Sequence, residues 1–215
     1  MPDYKLTYFD IRGFGEPIRQ LFHLANTPFE DIRLPFQDQL PGKQTPQWLE
    51  IKKALPFGRL PVLTVDGLDI PQSAAISRYL AKKFGFAGKT PEEEAWVDAI
   101  VDQSKDFAEQ FRALIYATKL EFPEAEIQKI REETFIPGRD LWFSILARRL
   151  TSNPSGFLVG NGLTWADLSV ADNLYTLEGW GLLGKEHGEL IEYRKRIYAL
   201  PELREHIEKR PECSV

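Results

Sequence analysis

The chain has 215 residues, 43% of them hydrophobic and 12% aromatic, enough to bury a substantial core in one large or two small domains. Its net charge of −5, with no basic run, argues against a nucleic-acid surface. No apolar stretch approaches the roughly 20 residues of a membrane span and the first residues form a charged strand rather than a leader, so a soluble, cytoplasmic protein is expected.

The first element is a β-rich run, "YKLTYF" at residues 4–9. It breaks at "DIRGFG", and from Glu16 the spacing of Ile18, Leu21, Phe22 and Ala25 predicts a helix. Tyr8 therefore stands at the open end of a strand that hands over to a helix, where α/β folds build sites. Two readings of Tyr8 stay open on these residues: a strand tyrosine that simply packs with a wet hydroxyl, or a functional phenol. Arg12 on the same loop either adds positive potential there or pairs with a carboxylate at a domain interface.

A strand follows at "FEDIRL", then the long segment "RLPFQDQLPGKQTPQW" and a helix through "QWLEIKKAL", where Trp48 and Lys52 share one face. Taken alone, Lys52 is an ordinary solvated lysine. "RLPVLTV" reads as a strand opened by a proline, Asp66-Gly67 as a turn, "LDI" as a strand, and "SAAISRYLAKKF" as a helix with Ser73 as its N-cap. The order is βαβ followed by ββα. Gly85, Gly88 and Pro91, followed by Glu92, Glu93 and Glu94, mark a helix stop, a linker and a helix start, dividing the chain into residues 1–84 and 92–215.

Beyond this seam nearly everything has helical spacing. Trp96, Ile100, Phe107, Phe111 and Leu114 form one apolar stripe, and Ile145, Leu146 and Leu150 another. "TWADLSVADNLY" begins with a capping box of Thr164 and Asp167. Asp98, Asp102 and Asp106 recur every four residues as an acidic stripe, which in isolation reads as a solvated face. The single cysteine, Cys213, excludes an intrachain disulfide and is expected on a mobile tail.

A small α+β unit with a strand beginning "LP" has a counterpart in the thioredoxin-like fold, whose redox members carry a Cys-x-x-Cys pair after the first strand. No cysteine lies in this unit, so a thiol handled here must arrive on a small molecule. "YKLTYFDIRGFGEPIRQLF", "LPFGRLPVLTVDG", "PQSAAISRYLAKKFGFAGKT", "VDAIVDQSKDF" and "LTWADLSVAD", in that order and nearly end to end, resemble the sigma class of cytosolic glutathione transferases, which includes haematopoietic-type prostaglandin D synthases. The segment around residues 34–48 appears longer than the family's usual one.

The resemblance implies a thioredoxin-like α+β glutathione-binding domain, then an all-α domain that contributes an electrophile site. It implies glutathione as co-substrate, no metal, a detoxifying role in the cytoplasm, and a homodimer. Tyr8 matches the catalytic tyrosine, a neutral phenol that donates to the glutathione thiolate. The binding residues carried over are Tyr8, Arg12, Trp48, Lys52, Gly58, Arg59, Leu60, Pro61, Gln72, Ser73 and Asp106. Gln72 and Ser73 would hold the γ-glutamyl carboxylate, Trp48 and Lys52 the glycyl one, and Leu60, before an expected cis Pro61, the cysteinyl backbone. Asp106 would reach the ammonium across a two-fold interface. Phe9, Phe14, Phe111 and Leu114 are candidates for the electrophile site. Phe14 stands where the related prostaglandin synthase has a second arginine, which favours an apolar acceptor. The expected activity is conjugation of glutathione to hydrophobic electrophiles. A glutathione-dependent prostaglandin isomerase and a non-catalytic carrier or crystallin-like relative are the alternatives.

Overall fold

The computed structural model describes residues 2–213. β1 (Tyr4–Phe9) alternates buried Tyr4 and Leu6 with half-exposed Lys5 and Thr7, the period of a strand with one covered face. After a short 3₁₀ turn at Gly13–Gly15, α1 (Glu16–Leu24) lays Ile18, Leu21 and Phe22 on that face. β2 (Glu30–Leu34) pairs parallel with β1, as a helical crossover between them allows. α2 (Pro46–Ala54) follows the long connection, within which Phe36–Gln39 forms a further 3₁₀ turn and Leu40 is fully buried.

β3 (Val62–Val65) and β4 (Leu68–Pro71) complete a mixed sheet of order β2-β1-β3-β4. Asp66 and Gly67 both have positive φ, 50° and 85°, as a two-residue hairpin whose twist matches its strands requires. The strand expected from Arg59 starts only at Val62, so Leu60 and Pro61, joined by a cis peptide, lie outside the ladder. α3 (Ser73–Phe84) closes the unit against α1, its Ile76 and Leu80 fully buried. Ser73 does not cap this helix: it is the first helical residue, and Gln72 at the cap position makes no side-chain cap bond. The expectation failed because Gln72 adopts φ 75°, ψ 116°, which turns the chain into the helix one residue early.

Gly85 ends α3 in the left-handed conformation, with the Phe86 amide bonded back to the Ala81 carbonyl at 2.8 Å. α4 (Pro91–Lys119) then starts at a cap where Thr90 accepts the Glu93 amide at 3.2 Å, with three glutamates in its positive first turn. α5 (Glu124–Ile130) runs through a π-helical turn at Arg131–Phe135 into α6 (Ile136–Ser152). That wider turn delivers Phe135 into the core, 5.8 and 5.5 Å from the rings of Phe107 and Phe111. α7 (Trp165–Gly179) is buried along most of its length, α8 (Gly188–Tyr198) packs outside it, and α9 (Pro201–Lys209) packs against α8 and α1.

The capping box forms as expected and goes further. Asp167, fully buried, accepts the Thr164 amide and hydroxyl at 2.9 Å, the Leu158 amide at 2.9 Å and the Tyr193 hydroxyl at 2.8 Å. One expected core residue is absent from the core. Trp96 is 52% exposed and lies beneath the Arg149 guanidinium, while Val97 takes the inward position. Cys213 is not a free tail thiol either: its Sγ accepts the Arg12 amide at 3.3 Å, and its carbonyl accepts from the Arg12 guanidinium at 3.3 Å.

Candidate active site

Tyr8, Phe9, Ile11 and Trp48 form a second apolar cluster at the open end of the sheet, separate from the main core. This cluster floors a cleft of about 640 Å³ between the sheet unit and helices α4 and α7. Clefts at such an edge are where ligands of α/β units bind.

Tyr8 is 4% exposed and lines this cleft. The loop after β1 folds over the ring, and glycines make that approach possible: a Cβ on Gly15 would collide with the Tyr8 ring, and one on Gly13 would come within 2.7 Å of the hydroxyl. The Phe14 amide donates to the Tyr8 oxygen at 3.1 Å. Burial pushes the phenol up to about 12, against the smaller opposing pull of the Phe14 amide and the Arg19 charge. At neutral pH Tyr8 is therefore a protonated donor with one lone pair already engaged and its own proton unspent.

Nine of the residues expected at the site line this one cleft: Tyr8, Trp48, Lys52, Gly58, Arg59, Leu60, Pro61, Gln72 and Ser73. Trp48 is buried, its ring 5.2 Å from Phe9, and its Nε1–H has no partner among the described residues. A buried indole donor left open beside Lys52 is a place for an anionic group. The start of α3 offers a second. Its first amides have no side-chain cap, and Gln72 is held at a positive φ that a non-glycine residue adopts only under constraint.

Arg12 and Asp106 are not brought to the cleft. Arg12 is buried and paired with Asp172 at 3.4 Å, its guanidinium 4.6 Å from the Tyr175 ring, so of its two readings the interface ion pair is the one realised. Around it lies a buried ionic cluster. Arg210 donates to Glu16 at 2.9 Å and to Asp172 at 3.2 Å; His206 meets Glu16 at 2.8 Å, and the Tyr198 hydroxyl donates to Asp172 at 2.8 Å. Asp106 is exposed on α4, outside the cleft. The acidic stripe is not uniform, since Asp98 is bound by Arg78 at 2.9 Å.

Phe14 and Phe111 also line the cleft, with Phe9 at its floor, but Leu114 does not. Leu114 turns into the helical core, and its neighbours Ile115 and Tyr116 face the opening instead. Sequence reasoning missed the wall opposite Tyr8. There Tyr116 donates to Gln39 at 3.5 Å, joining α4 to the long connection before α2, with Arg112 and Lys105 along the same face. The signal was the face of α4 next to its apolar stripe, beyond Phe111. Among the described residues no group of acidic, histidine and cysteine side chains is placed to hold a metal ion.

Comparison with known proteins matches the chain along its length. A model of the glutathione S-transferase N-terminal domain matches residues 4–82, and one of the C-terminal domain matches residues 105–210. Glutathione S-transferase 4 of Caenorhabditis elegans is 42% identical over 216 residues, covering 100% of each chain. A Nu-class glutathione transferase structure from Haemonchus contortus superposes with a TM-score of 0.86 at 40% identity, covering 100% of each chain. The structure of prostaglandin synthase D of Nilaparvata lugens superposes at 0.83 with 31% identity, covering 98% of this chain and 100% of that one.

Proposed function

Because the chain belongs to the glutathione S-transferase family and is an enzyme that takes glutathione as a substrate, we propose that it activates the thiol through Tyr8 and conjugates it to hydrophobic electrophiles. The observation that carries this reading is the Tyr8 hydroxyl, buried at the cleft floor with its proton uncommitted. A free thiol ionises near pH 8.5, so the nucleophile is the minor species at neutral pH. A donor fixed at the sulfur lowers that value, and about two units would correspond to roughly 2.7 kcal/mol.

The rest of the cleft suits the tripeptide. The glycyl carboxylate takes the open Trp48 Nε1–H and Lys52, and Gly58 and Arg59 flank that end. The γ-glutamyl carboxylate takes Gln72, Ser73 and the uncapped amides of α3. Leu60, outside the ladder, pairs with the cysteinyl backbone as an added strand would. Asp106, exposed on α4, meets the ammonium of glutathione bound to a partner copy, which makes the protein a homodimer. Phe14, Phe111 and Ile115 give the electrophile an apolar seat. We assign the enzyme to the sigma class and to detoxification in the cytoplasm, with residues 1–84 and 92–215 as its two domains.

One observation favours a second reading, isomerisation of a prostaglandin endoperoxide. Phe14 removes one cation, but Lys105 puts a positive charge on the facing wall, where Arg112 is paired with Glu109. Steady-state rates with aryl halides, enals and a prostaglandin endoperoxide separate the two. Conjugation faster than isomerisation is the expected outcome; an endoperoxide turned over faster than every aryl halide replaces the first reading with the second.

A further inference from the structure

Arg19 is an arginine within the buried face of α1, its side chain 1% exposed, a costly place for a guanidinium unless its donors are used. They are. Nε–H is shared between the two oxygens of Asp31 on β2 at 3.0 and 3.2 Å. Nη1 donates to the Ile11 carbonyl at 2.8 Å and Nη2 to the Phe9 carbonyl at 3.3 Å, with Glu16 3.8 Å away. The two carbonyls bracket Asp10, where the chain leaves β1, and the Cζ atom lies 5.9 Å from the centre of the Tyr8 ring. Arg19 itself does not line the cleft.

The loop it grips is the one that folds over Tyr8. Asp10 makes the last bond to β2, its amide donating to the Leu34 carbonyl at 2.8 Å, and beyond it come two glycines. Its course is therefore set by what holds its carbonyls. An arginine fork reaches two carbonyls and a carboxylate at once, which a lysine point charge does not.

We propose that Arg19 is a positioning residue for the thiol chemistry: by holding the Phe9 and Ile11 carbonyls it sets the loop so that the Phe14 amide meets the Tyr8 hydroxyl and the phenol proton is left for the sulfur. This rests on the thiol-activating role given to Tyr8. The groups assigned to the tripeptide's carboxylates lie on α2 and α3, so loosening the loop affects the chemical step more than glutathione binding.

The test compares Arg19→Lys, Tyr8→Phe and the double variant by ultraviolet titration of bound glutathione thiolate and by steady-state kinetics. Arg19→Lys keeps the charge and loses the fork. It is expected to raise the bound thiol's pKa by about one unit and lower kcat about tenfold, with KM for glutathione changed less than about threefold. In the double variant the thiol pKa matches that of Tyr8→Phe alone, because Arg19 acts through Tyr8. A normal pKa in Arg19→Lys, or losses that add in the double variant, overturns the positioning role. An unchanged pKa in Tyr8→Phe overturns the Tyr8 reading and this proposal with it. If Arg19→Lys does not fold, Asp31→Asn, which frees the outer end of the fork, carries the same titration: a raised pKa absent on the Tyr8→Phe background supports the role, and an unchanged one overturns it.

Discussion

Tyr8 serves the proposed chemistry because its neighbours divide its oxygen between two jobs: one lone pair takes the Phe14 amide, and the hydroxyl remains able to donate. Burial lifts its pKa to about 12, so it stays a donor throughout the range in which a thiol titrates. The dependence on pH of kcat/KM for the electrophile, at saturating glutathione, should therefore rise once, with the bound thiol, and show no fall up to about pH 10 attributable to Tyr8. Tyr8→Phe should move that rise upward and lower kcat about 10- to 1,000-fold with KM for glutathione little changed. A falling limb between pH 8 and 10 that vanishes in Tyr8→Phe would mean that the phenol ionises in the working range. Tyr8 was legible as a strand-end tyrosine in "LTYFDIRG". Its partner was not, because a backbone amide at Phe14 leaves no mark in the side-chain pattern.

Elements were legible where a local pattern sets them. The alternation of β1, the apolar period of α1 and the Thr164–Asp167 box all lie within a few residues of chain. α4 shows the limit, since its spacing located the apolar stripe but not the angular edge of the cleft, and one residue, about 100° of helix, separates core Leu114 from cleft-lining Ile115. Ser73 shows another, because an N-cap assignment presumes ordinary backbone before the helix and Gln72 does not supply it. Asp167 does more than a sequence box reveals. It holds Leu158 and Tyr193 as well as Thr164, tying the preceding loop and α8 to the start of α7. Asp167→Ala leaves these buried donors unpaired and should destabilise the protein by about 3 kcal/mol, a fall of roughly 6–12 °C in melting temperature. Thermal unfolding measures it; a loss under about 1 kcal/mol would mean the loop finds other acceptors.

At the scale of the whole molecule, one kind of contact joins distant parts of the chain and a second follows from the proposed function. The first is internal. Burial pushes Glu16 up, but the hydrogen bond and charge of His206 and the charge of Arg210 outweigh it and hold Glu16 well below its ordinary value. A depressed carboxylate stabilises the fold fully above the unfolded-state pKa of about 4.5, and that contribution is lost as pH falls through the lower folded value. Arg210→Met should therefore cost about 3 kcal/mol at pH 7, and its deficit against the unmodified protein should shrink below about pH 4. Melting curves across pH check this; a deficit independent of pH would mean that Arg210 acts by packing alone. The second is the contact proposed above between copies. Asp106→Ala should weaken glutathione binding by roughly 1 to 3 kcal/mol, with a smaller effect on kcat at saturating glutathione. Pairing a subunit carrying Tyr8→Phe and Asp106→Ala with an unmodified one leaves no complete site, and a mixed dimer with half the activity at low glutathione would place Asp106 within its own subunit or outside the reaction. The partners in the internal pairs were not legible, because Arg12 and Asp172 stand 160 residues apart and Glu16 and Arg210 194. That separation also orders events during synthesis. Glu16 has neither His206 nor Arg210 to meet until 190 and 194 further residues have been made, so the β1–α1 corner acquires its final surroundings long after its own residues are synthesised.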